Sequence, residues 1–294
     1  MRILVYGADG MLGHRIVKHL NKNFEVYATL REEKPGEHYK SFVDIDDNYL
    51  IPGIDVYYFD TVTRAIEISK PDVVINCIGL VKQRKEASSY ISAIKLNSLF
   101  PHQLAELCVS SGARLIHFST DCVFSGRSGN YLEEDFPDPV DLYGRSKLLG
   151  ELDSPSFLTL RTSIIGWELK NKGSLLEWFA SQRGKTVMGF KNSIYSGLST
   201  ISLARLVDQI IQKWPLLCGL YHASSKPISK FEILTMLKKE LAWDDIVIEE
   251  DVSFICDRSL NSVKLSKETG WIAPEWRKMI EELASEWQMY ENWR

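Results

Sequence analysis

The sequence predicts an α/β protein, a doubly wound parallel sheet with a smaller C-terminal α+β lobe. Arg2–Tyr6 reads as a short buried strand that runs directly into a glycine-rich turn and then into a helix. Short apolar strands then alternate with helical stretches over about two-thirds of the chain, which is the pattern of parallel α/β sheets. The 294 residues are enough for one such domain and an appended lobe.

The remaining elements follow the same alternation. Later strands are predicted at residues 24–29, 73–77, 114–118 and 157–161, and helices at 61–70, 92–112 and 143–152. The apolar face of the longest helix is predicted to consist of Leu96, Leu99, Leu104 and Leu107. Beyond residue 166 the alternation loosens, and the predicted elements are helices at 174–182, 201–214, 230–241 and 276–290 and a strand at 220–223.

Composition and charge argue against several classes of function. The chain is 45% hydrophobic and 25% charged, as in soluble globular proteins. A net charge of −4 without a concentrated basic stretch argues against a nucleic-acid partner. We expect no membrane span, no signal peptide and a cytoplasmic location, because no apolar run reaches roughly eighteen residues and the N-terminus enters a strand. The five cysteines are scattered and predict reduced thiols, and no histidine or cysteine spacing predicts a metal site.

The glycine-rich turn predicts a phosphate-binding loop. Gly7, Gly10 and Gly13 follow the first strand, in the spacing G-x-x-G-x-x-G rather than the simpler G-x-G-x-x-G. The helix that follows carries apolar residues at Met11, Leu12, Ile16, Val17 and Leu20. A strand, a glycine turn and a helix N-terminus together place backbone N–H groups under a pyrophosphate. The N-terminal region is therefore predicted to bind a dinucleotide.

Tyr143 and Lys147 are the candidate catalytic pair. Residues four apart on a helix share one face, so both side chains can reach a single bound cofactor. A phenol has a pKa near 10, and a neighbouring ammonium lowers it toward the neutral range by stabilising the phenolate. Thr120, at the end of a predicted strand, supplies a hydroxyl that can hold a substrate oxygen. This set suits hydride transfer to or from an alcohol or sugar carbon.

As a set, these motifs resemble the extended short-chain dehydrogenase/reductase superfamily, and within it the dTDP-4-dehydrorhamnose reductase family. The matching segments are 119–126, 131–139, 143–147, 150–151, 160–163, 197–200 and 257–261. The resemblance implies a Rossmann domain and reduction of the 4-keto group of a nucleotide-linked 6-deoxyhexose by NADPH or NADH, for polysaccharide biosynthesis. From charge and hydropathy we expect no membrane or nucleic-acid partner, and the protein is predicted to be a monomer or homodimer.

The resemblance also assigns residues to roles. Thr120, Tyr143 and Lys147 become the catalytic set, with Tyr143 as proton donor and Lys147 as the ribose ligand. The cofactor set is Gly7, Asp9, Gly10, Met11, Leu12, Gly13, Arg31, Cys77, Ile78, Gly79, Asn97, Tyr143, Lys147, Thr162 and Ser163. The substrate set is Thr120, Asp121, Cys122 and Arg258. The predicted domains are residues 1–166 with 196–222 for the cofactor, and 167–195 with 223–294 for the nucleotide sugar.

Three local features refine this prediction. Cys122 stands where the family carries a tyrosine, which leaves more room for a substituent on the sugar. Arg15 stands where some members carry a glutamate used in magnesium-dependent pairing, so we expect no metal there. Arg31 follows the second strand, where it can pair with the 2′-phosphate of NADPH, although Glu32 and Glu33 follow it. NADPH is therefore favoured over NADH.

Three alternatives stay open. The chain can be a 4-epimerase or a 4,6-dehydratase of the same fold, although no glutamate follows Asp121 to complete a dehydratase acid/base pair. It can also be a non-catalytic subunit similar to the regulatory subunit of methionine adenosyltransferase, since a fold and a motif do not establish turnover. For Arg258, a surface ion pair is as good an interpretation as a diphosphate contact.

Overall fold

The computed structural model of the chain describes residues 1–33, 37–81, 89–170 and 172–293. The strands, in chain order, are β1 (Arg2–Tyr6), β2 (Glu25–Thr29), β3 (Leu50–Ile51), β4 (Val73–Asn76), β5 (Arg114–Thr120), β6 (Phe157–Thr162), β7 (Ile164–Ile165), β8 (Thr186–Phe190), β9 (Ser193–Tyr195), β10 (Leu198–Ser199), β11 (Gly219–His222), β12 (Ile228–Ser229), β13 (Val247–Asp251) and β14 (Cys256–Asp257). The α-helices are α1 (Gly13–Leu20), α2 (Glu37–Val43), α3 (Phe59–Ser69), α4 (Tyr90–Ala93), α5 (Phe100–Ser111), α6 (Leu142–Leu149), α7 (Leu175–Ala180), α8 (Thr200–Lys213), α9 (Lys230–Glu240), α10 (Val263–Thr269), α11 (Trp276–Ser285) and α12 (Trp287–Trp293).

Seven strands of the described part of the chain form the main sheet, in the order β11-β6-β5-β4-β1-β2-β3. The pairings of β1 with β2 and β4, of β2 with β3 and of β4 with β5 are parallel. The register aligns Tyr6 with Asn76 and Asn76 with His117, so the carboxyl ends of β1, β4 and β5 meet at one edge. The predicted doubly wound α/β fold is confirmed.

The strand pattern follows from burial on both faces. Parallel strands covered by helices have to be apolar throughout, and Ile3, Leu4, Val5 and Tyr6 of β1 are all fully buried. Leu4 belongs to a hydrophobic cluster with side chains from the neighbouring strands and from α3 and α5. This core holds the strands in position, and with them the carboxyl edge of the sheet, where the polar side chains lie.

The predicted helix at 92–112 is interrupted, and the prediction of its apolar face is wrong at one position. Between α4 and α5 the chain forms a π-helix at Ile94–Leu99. A π-turn uses i→i+5 hydrogen bonds and rotates the following residues out of α-helical register. Leu99, expected on the buried face, is therefore 47% exposed, whereas Asn97 is only 1% exposed and Leu104 is fully buried.

The predicted helix at 276–290 is also wrong as a single element, because it divides into α11 and α12. The second of these helices packs on the Trp167 side chain, whose ring centroid lies 4.8 Å from that of Trp287. The Trp167 indole N–H donates to the carbonyl of Leu283 at 2.8 Å. Tyr290 is buried beside the same indole. A tryptophan-rich core thus forms from segments distant in sequence.

The chain divides into two compact units. The first comprises residues 1–119, 141–160 and 204–220, and the second residues 120–140, 161–203 and 221–294. The domain boundaries predicted from the sequence stay a prediction; the compact units differ from them at 120–140, 161–166, 196–203 and 221–222. Residues 34–36, 82–88, 171 and 294 fall in the predicted domains but outside the described residues. Within the described part of the chain, no helix has the length and apolar character needed to cross a membrane.

A substitution at Gly150, directly after α6, tests how tightly the first unit is packed at this position. A Cβ on Gly150 would overlap the carbonyl oxygen of Asn97 and lie 3.3 Å from Cγ of Pro101. We expect Gly150→Ala to lower the free energy of unfolding by about 1–3 kcal/mol, because backbone has to move. Gly79→Ala is the matched control, since its Cβ would lie 3.6 Å from Oδ1 of Asn97, an ordinary contact. Urea unfolding of both variants measures this, and equal losses would contradict it.

Candidate active site

The glycine turn brings two backbone segments into direct contact. Gly7 has a φ of 74°, a conformation that favours glycine. A Cβ on Gly7 would lie 2.9 Å from Cγ1 of Ile78, and one on Gly13 would overlap the carbonyl oxygen of Gly7. The Gly7 N–H donates to Oγ1 of Thr29 at 3.3 Å. The turn is therefore fixed between the ends of β1, β2 and β4.

The start of α1 can hold an anion. The N-cap position is Leu12, whose side chain makes no capping hydrogen bond, so no side chain of the cap covers the first amides of the helix. Asp9 and Met11 flank this end and are half-buried. The helix N-terminus without a side-chain cap and the missing Cβ atoms fit a pyrophosphate at the position predicted for it.

His14 supports this loop and was missed by sequence reasoning. Its side chain is fully buried, and burial lowers its pKa to about 3, so the ring is neutral at neutral pH. The Nδ1–H donates to the carbonyl oxygen of Gly10 at 2.7 Å. No spacing pattern singles out this histidine, because its role depends on a carbonyl that the folded turn brings to it.

Arg31 is exposed and lies two residues after Thr29, the last residue of β2. The Thr29 hydroxyl accepts the Gly7 N–H, and the Thr29 carbonyl accepts the Ala8 N–H at 3.2 Å. The Glu33 carboxylate lies against Gly53, where it would be 2.9 Å from an added Cβ. One of the two acidic neighbours of Arg31 is thus turned toward the β3 side.

The segment after β4 lies beside the glycine turn. Asn76 is buried, and its Oδ1 accepts the Ile78 N–H at 3.0 Å. Cys77 is held by a hydrogen bond from its N–H to the carbonyl of Tyr6 at 3.0 Å, and burial raises the pKa of its thiol. Cys77, Ile78 and Gly79 are therefore in one unit with the glycine turn, as the predicted cofactor set requires.

Asn97 joins this loop to α6. Its Oδ1 accepts the Leu80 N–H at 2.8 Å, and its Nδ2 donates to Oγ of Ser146 at 3.1 Å. Ser98 donates to the carbonyl of Ser146 at 2.8 Å. The π-helix thus places a buried amide between the segment after β4 and α6.

The helix α6 carries Tyr143 and Lys147. It begins after Asp141, whose carboxylate caps it by accepting the Gly144 N–H at 2.8 Å. Tyr143 is half-buried, and Lys147 is only 5% exposed. The Lys147 Nζ donates to the carbonyl oxygen of Phe118 at 2.6 Å. Burial lowers the pKa of Lys147 to about 8, although the charge of Glu151 acts in the opposite direction.

In the second unit, Thr120, Asp121 and Cys122 form a compact turn. The Thr120 hydroxyl donates to Oδ1 of Asp121 at 3.1 Å and accepts the Cys122 N–H at 3.2 Å. Burial raises the pKa of Asp121, while the charge of Arg258 and hydrogen bonds from Thr120, Cys122 and Ser163 oppose this rise. The turn therefore holds an acid that retains a proton to higher pH than an exposed aspartate.

Arg258 lies against this turn. Its Nε donates to the carbonyl oxygen of Phe124 at 2.9 Å, and its Nη1 lies 3.7 Å from Sγ of Cys122. The side chain is half-buried, and its charge acts on Asp121. Of the other three predicted substrate residues, Cys122 is therefore in contact with Arg258, and Asp121 interacts with its charge.

Tyr195 is a further residue of this cluster that no sequence motif indicated. A Cβ on Gly197 would overlap the Tyr195 hydroxyl and the carbonyl oxygen of Ser163, so the glycine lets the phenol approach Ser163. Burial and the charge of Asp121 raise the pKa of Tyr195. Thr162 is buried and donates to the carbonyl of Ser163 at 3.2 Å.

Among the described residues, no group of three or more His, Cys, Asp or Glu side chains is arranged to hold a metal ion.

Comparison with known proteins gives relatives that match half of the chain or more. The dTDP-4-dehydrorhamnose reductase of Aggregatibacter actinomycetemcomitans is 28% identical over 77% of this chain and 74% of that protein. A crystal structure of a dTDP-4-dehydrorhamnose reductase from Clostridium acetobutylicum superposes with a TM-score of 0.78 and 25% identity, covering 98% of this chain and 100% of that one. Methionine adenosyltransferase 2 subunit beta of Bos taurus is 30% identical over 51% of this chain and 41% of that protein.

A family model described as the RmlD substrate binding domain matches residues 1–289, which include the glycine turn, α6 and the Arg258 segment. Since this match covers nearly the whole chain, the resemblance seen in the sequence is confirmed, and the protein belongs to the RmlD substrate binding domain family.

Proposed function

We propose that this protein is an NADPH-dependent reductase of the 4-keto group of a nucleotide-linked 6-deoxyhexose, acting in the synthesis of polysaccharide precursors. The observation that carries the proposal is the buried ammonium of Lys147, one helical turn after Tyr143 on α6. The family membership and the similarity to a dTDP-4-dehydrorhamnose reductase support the substrate class. A monomeric or homodimeric state and a cytoplasmic location stay predictions.

The proposed cofactor site consists of the glycine turn, the segment 77–79, Asn97 and α6. NADPH, when bound, supplies the hydride. The glycine turn and the uncapped start of α1 bind its pyrophosphate, and Arg31 binds its 2′-phosphate. NADPH is favoured over NADH because the exposed guanidinium of Arg31 stands at the end of β2, where NAD-specific proteins carry an acid.

The proton comes from Tyr143 in this proposal. A pKa of about 8 leaves most Lys147 side chains charged at neutral pH, and the charge favours the phenolate that forms when Tyr143 gives up its proton. Thr120 hydrogen-bonds the substrate oxygen, so the proton is delivered to a fixed acceptor. Asp121, Cys122 and Arg258 bind the sugar and diphosphate, with Arg258 as the fork-shaped cation.

A non-catalytic role is the second candidate, because the chain is 30% identical over half its length to methionine adenosyltransferase 2 subunit beta. A 4-epimerase or 4,6-dehydratase is less well supported, since Cys122 follows Asp121 where a dehydratase needs a glutamate. The purified chain separates these candidates: only a reductase oxidises NADPH stoichiometrically with a dTDP-, UDP-, GDP- or CDP-linked 4-keto-6-deoxyhexose.

Tyr143→Phe should lower kcat by about 100-fold or more, because the phenol is the proposed acid. The affinity for NADPH should change little, since the ring and Lys147 remain. Stopped-flow NADPH oxidation and fluorescence titration measure the two quantities. Full turnover in the Phe variant would exclude the proposed acid.

Arg31→Ala should weaken NADPH binding about tenfold or more and leave NADH binding unchanged, because only NADPH carries the 2′-phosphate. Lys22→Ala is the matched control, since it removes an exposed cation at the other end of β2. Calorimetric titration with each cofactor distinguishes them. Equal effects of Arg31→Ala on both cofactors would remove Arg31 from this role.

Arg258→Ala should raise KM for the nucleotide sugar about tenfold, with a smaller effect on kcat, because diphosphate binding is shared by the ground and transition states. Arg258→Lys keeps the charge but loses the fork, so it should recover only part of the loss. Steady-state kinetics at saturating NADPH provide both parameters. A fall in kcat at unchanged KM would contradict the assignment.

A further inference from the structure

The turn that follows α6 carries the carboxylate of Glu151, which takes no direct part in the proposed reaction. Glu151 comes after the helix, and its N–H donates to the carbonyl of Leu148 at 3.2 Å. Its Oε1 accepts a hydrogen bond from Oγ of Ser119 at 2.6 Å. Ser119 is buried and is the neighbour in β5 of Phe118, whose carbonyl binds Lys147.

Two adjacent residues of β5 therefore bind two oppositely charged side chains, one on α6 and one in the turn after it. The Phe118 carbonyl fixes the ammonium of Lys147, and the Ser119 hydroxyl fixes the carboxylate of Glu151. The position of the turn is set from the other side by Gly150, where an added Cβ would overlap the Asn97 carbonyl oxygen. The carboxylate is thus kept at a fixed place relative to Lys147.

We propose that Glu151, anchored by Ser119, is a positioning residue that keeps Lys147 protonated and so maintains the acid strength of Tyr143. The proposal deepens, and rests on, the reductase function proposed above. Glu151 acts through Lys147 and does not touch the reacting atoms. Its negative charge favours the ammonium, while burial disfavours it.

The other groups that face Lys147 do not supply this charge. On β5, His117 is fully buried, and burial with the charges of Lys147 and His102 holds its pKa well below the usual range, so it is neutral in the assay range. The π-helix contributes the neutral Asn97 and Ser98, and its Lys95 reaches to the Tyr57 carbonyl at 3.3 Å. On α6 itself, the other charged side chain is Arg145, which is exposed and carries a positive charge.

The sign of the pH effect follows from these charges. Replacing Glu151 with glutamine removes the interaction that raises the pKa of Lys147 and leaves the burial that lowers it. Lys147 in the variant therefore loses its proton at lower pH than in the wild type. Activity should fall more at pH 8 than at pH 6, and the basic limb of the profile of log(kcat/KM) against pH should move to lower pH.

The test uses the full chain and two measurements. In NMR titration of ¹³C-labelled lysine side chains, with the Lys147 signal assigned by its loss in Lys147→Arg, Glu151→Gln should move the Lys147 midpoint to lower pH. In kinetics, Glu151→Gln should lower kcat/KM about tenfold at pH 8 and much less at pH 6. Glu151→Asp keeps the charge and should restore most of the wild-type profile.

Glu106→Gln is the matched control, because Glu106 and Glu151 line the same groove of about 430 Å³ but Glu106 lies on α5. It should leave both measurements unchanged. An unchanged Lys147 midpoint in Glu151→Gln, or a shifted midpoint with an unshifted kinetic profile, would overturn the inference. Wild-type turnover in Tyr143→Phe would instead refute the proposed function, and the NMR result would still report on Glu151.

Discussion

The burial of one cation, the ammonium of Lys147, is the constraint on which the rest of the candidate site depends. A buried ammonium is stable only where hydrogen bonds and opposite charge offset its lost hydration. The backbone carbonyl of Phe118 gives the first and Glu151 contributes to the second. Burial lowers the pKa of Lys147 and the charge of Glu151 raises it, and the resulting pKa is about 8. The ammonium is therefore mostly charged at neutral pH and loses its proton within about one pH unit above it.

This constraint explains why the surrounding backbone is so closely packed. The last turn of α6 has to pack closely on β5, because the Lys147 ammonium binds the carbonyl of Phe118 in that strand. The contact of Gly150 with the Asn97 carbonyl and the hydrogen bonds of Asn97 and Ser98 to Ser146 hold it there. The π-helix is part of the same arrangement, because its altered register buries Asn97 and turns Leu99 to the exterior.

The two compact units carry different chemical groups among the predicted site residues. The first supplies backbone amides, a buried cation and a phenol, which suit a dinucleotide and proton transfer. The second supplies a carboxylic acid whose pKa is raised by burial, a thiol and a guanidinium, grouped around Asp121. Cys122 leaves Arg258 in contact with a small side chain at the position where the family carries a tyrosine.

The sequence by itself determined the fold class, the family, the glycine turn and the Tyr143–Lys147 pair, because these depend on local periodicity and short spacings. It missed the π-helix, the division between α11 and α12, and the roles of His14, Tyr195 and Glu151. Only the folded structure decides these features. The hydrogen bond of His14 to Gly10 depends on the conformation of the glycine turn, and the contacts of Tyr195 and Glu151 depend on groups from segments distant in sequence. The Ser119–Glu151 hydrogen bond joins residues 32 positions apart, a distance over which no local pattern specifies a contact.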